Sequence, residues 1–336
     1  SIAWFPTAKK SPSRGRCVAE VLDAAPDGAA LAEDLAACRA LLRTGSRSFY
    51  FASHLLPRDV AHRASALYAF CRQIDDVVDA DGRAPDALPR LRERLAAVYR
   101  GTPQDSPVDR AFAAVVVSEQ IPKALPQALL EGMTWDAEGR RYETLSEVLA
   151  YSARVAASVG AMMSVIMGRR APATLARACD LGVAMQLSNI ARDVGEDARL
   201  GRLYLPAAWL REAGLDPDAW LAAPVFTPAL GEVVRRLLDE AWPRYERAGV
   251  GIADLPAGCR PGIHTAARVY AEIGREVLRR DGDSVTARAV VGTGRKLSLL
   301  PGGCIAALGR PAPSDAPPLA ETRFLVDAVA ASRGGD

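Results

Sequence analysis

Three acids stand within five residues in the stretch "CRQIDDVVDA" (71–80): Asp75, Asp76 and Asp79, set among Ile74, Val77 and Val78. A second stretch, "NIARDVGEDA" (189–198), carries Asp193, Glu196 and Asp197 in a similar apolar setting. Placed on a helix, Leu67, Cys71, Ile74 and Val78 share an apolar stripe, and Tyr68, Arg72, Asp75 and Asp79 form the polar stripe beside it. In the second stretch the apolar stripe is Val183, Leu187, Ile190 and Val194, and the polar one is Gln186, Asn189, Asp193 and Asp197. The two Asp pairs are far apart in sequence and belong to different helices.

Like charges one turn apart on a wet helix face cost only ~0.2–0.5 kcal/mol, so either stripe alone reads as solvated surface. Here each acidic stripe borders an apolar one, and the second shares its face with a Gln and an Asn. Acids crowded into a largely buried cleft cost several kcal/mol each unless compensated. A divalent cation is the simplest compensation. Carboxylate oxygens without His or Cys suit a hard ion, Mg²⁺ or Mn²⁺, and Mg²⁺ keeps waters and bridges to phosphates. The stripes therefore imply a metal–phosphate cleft, with solvated helix faces as the bland alternative.

The elements that must position these residues are helical. Leu31, Leu35, Cys38 and Leu42 recur at spacings of three or four, and "TGS" (44–46) ends that helix. Helical patterns then follow one another, cut by Pro/Gly segments at 81–89, 101–107, 168–172 and 254–262. No alternating strand pattern is evident. The reading is an all-α chain: a loose arm over 1–30, one helical domain over 31–300, and an irregular tail over 301–336 with a short helix near 319–331.

Composition narrows the function classes. Of 336 residues, 49% are apolar, and 42 basic against 40 acidic residues leave +2, which argues against a nucleic-acid binder. Six cysteines are scattered without a CxxC pair and only three histidines exist, so neither a disulfide scaffold nor a Cys/His zinc site is expected. A reducing cytoplasmic compartment fits. The N-terminus "SIAWFPTAKK" lacks a signal peptide's apolar core. No stretch reads as the ~20 apolar residues of a membrane span; the nearest, "LSLLPGGCIAALG" from Leu297, is short and broken by Pro301, Gly302 and Gly303.

Residues 181–206, "LGVAMQLSNIARDVGEDARLGRLYLP", resemble a signature of the squalene/phytoene synthase family through Gln186, Asn189, Arg192–Asp193, Asp197 and the closing Arg202-Leu203-Tyr204-Leu205-Pro206. "YSARVAASVG" (151–160) is similar to the family's other signature. "GSRSFYFAS" (45–53) and "ALYAFCRQIDDVVD" (66–79) are similar to its leading loop and first acidic helix, in wording most like bacterial phytoene synthases. "DDVVD" alone equally fits the DDxxD motif of head-to-tail prenyltransferases; the second region discriminates, because those enzymes usually repeat DDxxD there. Asn189, Asp193 and Asp197 keep the i, i+4, i+8 spacing of a terpene-cyclase metal triad.

The resemblance implies a single-domain isoprenoid-synthase helical fold with a central cavity. It implies that two geranylgeranyl diphosphates condense head to head, through a cyclopropyl diphosphate, to phytoene. Asp75, Asp79, Asn189, Asp193 and Asp197 would hold the metal. Arg72 and Arg192 could contact phosphate, although Arg192 could equally pair with a neighbouring acid. Arg47, Tyr68, Gln186, Tyr270 and Arg288 join them on the substrate side, and Tyr151 stands near the reacting centre, where a ring can stabilise a cation. The segment 151–168, with Met162, Met163 and Met167, reads either as a cavity wall or as a close helix–helix contact. Cys71 reads as core packing. "GTGRK" (292–296) is no dinucleotide fingerprint, and no NADPH is expected, although squalene synthases use it without such a motif. Peripheral membrane contact at the cavity mouth is expected for so apolar a product. The rivals are a squalene- or presqualene-type enzyme using farnesyl diphosphate, and a non-catalytic, metal-stabilised helical binding protein.

Overall fold

The helix expected to carry the first acidic stripe runs from Arg58 to Asp81 (α3), and the second stripe lies on a longer one, Pro172–Arg199 (α9). The computed structural model describes residues 28–81, 86–309 and 316–332; the arm expected over 1–30 lies outside these except for its last three residues, which open the first helix, Gly28–Gly45 (α1). Ahead of α3 comes Arg47–Ser53 (α2). Then follow Ala87–Tyr99 (α4), Pro107–Ser118 (α5), Ala124–Ala137 (α6), Leu145–Ser152 (α7) and Ser158–Ile166 (α8). After α9 come Ala207–Glu212 (α10), Pro217–Ala222 (α11), Pro228–Ile252 (α12), Arg260–Leu278 (α13), Thr293–Ala306 (α14) and Arg323–Ala331 (α15). No strand occurs among the described residues.

Local chemistry sets many of the boundaries. Ser46 caps α2 by accepting from the Phe49 N–H at 3.3 Å, and Thr144 and Glu147 form a reciprocal capping box at the start of α7. Pro172 and Pro228 occupy first-turn positions, where their missing N–H costs nothing.

Both predicted apolar stripes turn inward. Leu67, Ile74, Val78, Val183, Leu187, Ile190 and Val194 are all at most 5% exposed. α9 is the central helix, packed on α8, α12 and α13. One large apolar core takes in residues from Cys38 to Val329, and Tyr270, Ile273 and Val291 form a small second cluster.

Three features differ from the sequence expectation. Between α7 and α8 the chain makes a π-helical turn, Ala153–Ala157; the extra residue per turn rotates the face of α8 relative to α7. The continuous helical run Leu145–Ile166 is, by length and apolar composition, comparable to a membrane span, contrary to the expectation that no stretch approaches one; 61% of its most apolar window is buried inside the fold. The helix of α14 also continues past Leu300 to Ala306, with Pro301 inside it, where irregular chain was expected. Its docking on α13 accounts for this: Leu299 and Gly303 are buried, and a Cβ on Gly303 would stand 2.4 Å from Thr265 Oγ1.

Candidate active site

α3, α8, α9, α12 and α13 enclose an apolar cavity of about 330 Å³. Tyr68 and Cys71 reach it from α3, and Gln186 and Asn189 from α9, so the two acidic stripes share one cavity. Tyr270 lines it from α13 and Phe49 from α2; their ring centroids are 5.3 Å apart. Gly45 makes room for Tyr68, since a Cβ there would fall 2.4 Å from the Tyr68 hydroxyl.

The acids continue each stripe beyond this polar end. Arg72 pairs with Asp75 at 3.3 Å and with Asp76 at 2.6 Å on its own helix. The helix of α3 carries Asp79 one turn further; its side chain and that of Arg47 lie outside the described residues. On α9, Arg192 forms a two-pronged pair with Asp193, through Nε at 2.7 Å and through Nη2. Arg192 therefore takes the second of the two roles open to it in the sequence. Arg288, 95 residues further along, donates to Asp193 at 2.8 Å and pairs with Glu196 at 3.4 Å. Asn189 donates to Gln186 Oε1 at 3.4 Å.

Asp136 belongs to this cluster, and sequence reasoning missed it. Its carboxylate accepts from the Tyr151 hydroxyl at 2.9 Å and from the Tyr204 hydroxyl at 2.7 Å. Burial raises it to about 6 despite these two hydrogen bonds and nearby Arg202, and Asp75 adds to the rise. Asp197 is raised to about 7, first by burial, then by Asp193 against the pull of Arg202, with Asp136 and Glu196 adding further. Asp136 thus lies electrostatically between the two stripes. Tyr151 does not line the cavity. Its ring stacks on Tyr204 at 5.0 Å and packs tilted against Tyr142 at 5.2 Å, and its hydroxyl is held protonated by burial.

The donor set consists of carboxylates and an amide, which suits a hard divalent cation. The partly buried, mutually repelling Asp197, Asp193 and Asp136 are a charge arrangement that such a cation would relieve. Among the described residues no three acids converge closely enough to chelate an ion as they stand: Asp193 is engaged by Arg192 and Arg288, and Asp75 pairs with Arg72.

The remainder of the cavity is apolar. Val155, Val159, Met163 and Met167 line it, whereas Met162 is fully buried in the core. The two readings of segment 151–168 both hold. The segment walls the cavity, and it also meets α9 so closely that a Cβ on Gly182 would stand 2.6 Å from the Ala156 carbonyl oxygen, and one on Gly160 2.6 Å from that of Ala178; Ala156 and Gly160 serve both roles. Cys71, read as core packing, faces the cavity; burial, then Asp75, pushes its thiol up to about 12, so it is no nucleophile.

Residues 42–296 match the squalene/phytoene synthase family. A phytoene synthase of Rhodobacter capsulatus is 52% identical over 305 residues, covering 88% of this chain and 90% of its own. A 15-cis-phytoene synthase of a Paracoccus species is 42% identical, covering 76% of this chain and 86% of its own. Among solved structures, a dehydrosqualene synthase in complex with a ligand superposes with a TM-score of 0.75 at 31% identity, over 81% of this chain and 96% of that one. A squalene synthase of Alicyclobacillus acidocaldarius, at 23% identity and a TM-score of 0.69 over 78% of this chain and 98% of that one, shares the fold.

Proposed function

The chain belongs to the squalene/phytoene synthase family, and from that premise we propose that it joins two geranylgeranyl diphosphates head to head, through a cyclopropyl diphosphate, to phytoene, releasing diphosphate. The observation that carries this reading is an apolar cavity with two acidic helix stripes and their arginines gathered beyond one end. Relatives above 50% identity named phytoene synthase, from two bacteria, support the C20 substrate.

In this reading Asp75, Asp79, Asp193 and Asp197, with Asn189, hold Mg²⁺ or Mn²⁺. Bound there, the ion supplies Lewis-acid stabilisation of the departing diphosphate. The chain's own residues do the rest. Arg192 and Arg288, now paired with Asp193, and Arg72, paired with Asp75, turn bidentate donors to the diphosphate oxygens as the substrate arrives. That exchange frees the carboxylates and explains why the acids are not converged beforehand. Arg47, Tyr68 and Gln186 complete the head-group pocket. The Tyr270 ring faces the reacting carbons, where it stabilises positive charge by roughly 0.5–2 kcal/mol. Tyr151, held by Asp136, orients the acid end from outside the cavity. The apolar wall excludes water, which would quench a carbocation. A peripheral contact with a bilayer accompanies this reading: Phe49 at the mouth is 38% exposed, and Leu297, Ile305 and Leu308 expose an apolar stripe along and just past α14. Flotation with liposomes tests it, and protein that stays at the bottom would count against it.

The deciding experiment supplies geranylgeranyl or farnesyl diphosphate with Mg²⁺ and without NADPH, followed by chromatography of the hydrocarbons. Phytoene from the C20 substrate is expected. Preference for farnesyl diphosphate, or a stall at the cyclopropyl diphosphate until NADPH is added, would establish the squalene-type alternative. Absence of any diphosphate release would leave a binding protein.

A further inference from the structure

The cavity has a far end, and the residue found there is an arginine. α9 lines the cavity from Thr174 and Arg177 to Gln186 and Asn189. Arg177 lies 16 residues before Asp193, about 24 Å along a helix at 1.5 Å per residue, a length on the scale of an extended C20 chain. Met167, just past the end of α8, with Gly251 and Ile252 at the end of α12 and Leu255 just beyond it, also line the cavity.

Arg177 is 3% exposed. Its head turns away from the cavity: Nε lies 2.8 Å from Asp180 Oδ2, and Nη2 donates to the Pro317 carbonyl at 3.3 Å. Asp180 also receives Arg247 through two bonds, at 3.0 and 3.1 Å. With the head occupied there, the hydrocarbon stem is the part that faces the cavity. That stem fills the gap between α9 and α12: a Cβ on Gly251 would stand 2.1 Å from Arg177 Cβ and 2.7 Å from its Cγ. The ion pairs hold the stem in place, and Gly251 lets it lie flat.

We propose that the Arg177 stem, seated on Gly251 and anchored through Asp180, is the floor that limits the length of prenyl chain this enzyme accepts. This rests on the prenyl diphosphate reading above and adds a residue that selects among substrates.

The test separates stem from charge. Arg177→Met keeps the stem and loses the head; Arg177→Ala loses both, and in each variant Asp180 keeps Arg247. Condensation of C15, C20 and C25 prenyl diphosphates is compared by kcat/KM. For Arg177→Ala the C25-to-C20 ratio should rise roughly tenfold or more, the order that a filled or emptied apolar pocket confers. Arg177→Met should stay within about threefold of wild type. Ala248 is buried on α12 and lines the same cavity; Ala248→Leu, which adds bulk there while keeping Arg177, Asp180 and Arg247, should move preference toward C15 and stands in if Arg177→Ala does not fold. A folded Arg177→Ala with unchanged ratios, or an unchanged Ala248→Leu, would overturn the floor. So would Arg177→Met behaving like Arg177→Ala, since charge and not stem would then set the length. Wild-type protein inert toward all three substrates would instead overturn the prenyl-transfer reading itself.

Discussion

Replacing Glu272 by Gln should make the protein less stable at neutral pH and scarcely less stable in acid. Glu272 is fully buried on α13, two residues from Tyr270, and three arginines converge on it: Arg295 at 2.9 Å, Arg275 at 3.4 Å, and Arg279. Burial alone would raise its carboxyl; the hydrogen bonds from Arg295 and Arg279 outweigh this and lower it from 4.5 to about 2. At 1.36 kcal/mol per pH unit, that amounts to at most about 3 kcal/mol of stability. The three guanidiniums are about half exposed, so solvent screening brings the expectation to roughly 2 kcal/mol. The folded state favours the charged form, so the contribution is complete above the unfolded value of about 4.5. It is lost as pH falls toward 2, and by about pH 3 more than half is gone. Urea unfolding of wild type and Glu272→Gln at pH 7, 4 and 3 measures this directly. A stability gap that is absent at pH 7, or that stays constant down to pH 3, would refute the reasoning. Because Arg295 sits in the first turn of α14, the same variant should loosen α14 on α13, read out as faster amide exchange there.

Three further outcomes are expected. Asp75→Asn and Asp193→Asn should each lower kcat at least about a hundredfold in a protein with unchanged circular dichroism; near-normal turnover in either would remove that acid from the head-group end. Exhaustive chelation should stop the reaction and Mg²⁺ or Mn²⁺ should restore it, measured as diphosphate release. Gly182→Ala should cost roughly 1–3 kcal/mol by urea unfolding, because its Cβ meets backbone that cannot turn aside; a variant as stable as wild type would show that the α7–α8 run and α9 can separate.

The acidic stripes were legible because they obey helical spacing within a single element. Their apolar borders were buried as the period requires, and Gln186 and Asn189 reached the cavity. What escaped was created by long-range packing. Asp136 has no acidic partner one turn away, and it gains its meaning from tyrosines 15 and 68 residues downstream. Its one local hint was an acid beside Trp135 in a mostly apolar helix. Arg177 reads as ordinary helix surface until α12 brings Gly251 against it. The π turn at Ala153–Ala157 has no residue pattern of its own, yet it separates Tyr151, turned to the acids, from Val155 and Val159, turned to the cavity. Arg288 depended on resemblance alone, and the fold brought it to Asp193.

If the Arg177 stem closes one end of the cavity, as proposed, and the head groups bind at the polar end, an order of movement follows. Two substrates would then enter tail first and lie side by side, with both reactive carbons at the mouth. Once joined, the product is a folded strand whose bend lies at the mouth and whose two ends are deep. It has lost both charged handles and cannot turn around inside. It must leave bend first, as a hairpin, so whatever phase or partner receives it meets the middle of the molecule before either end.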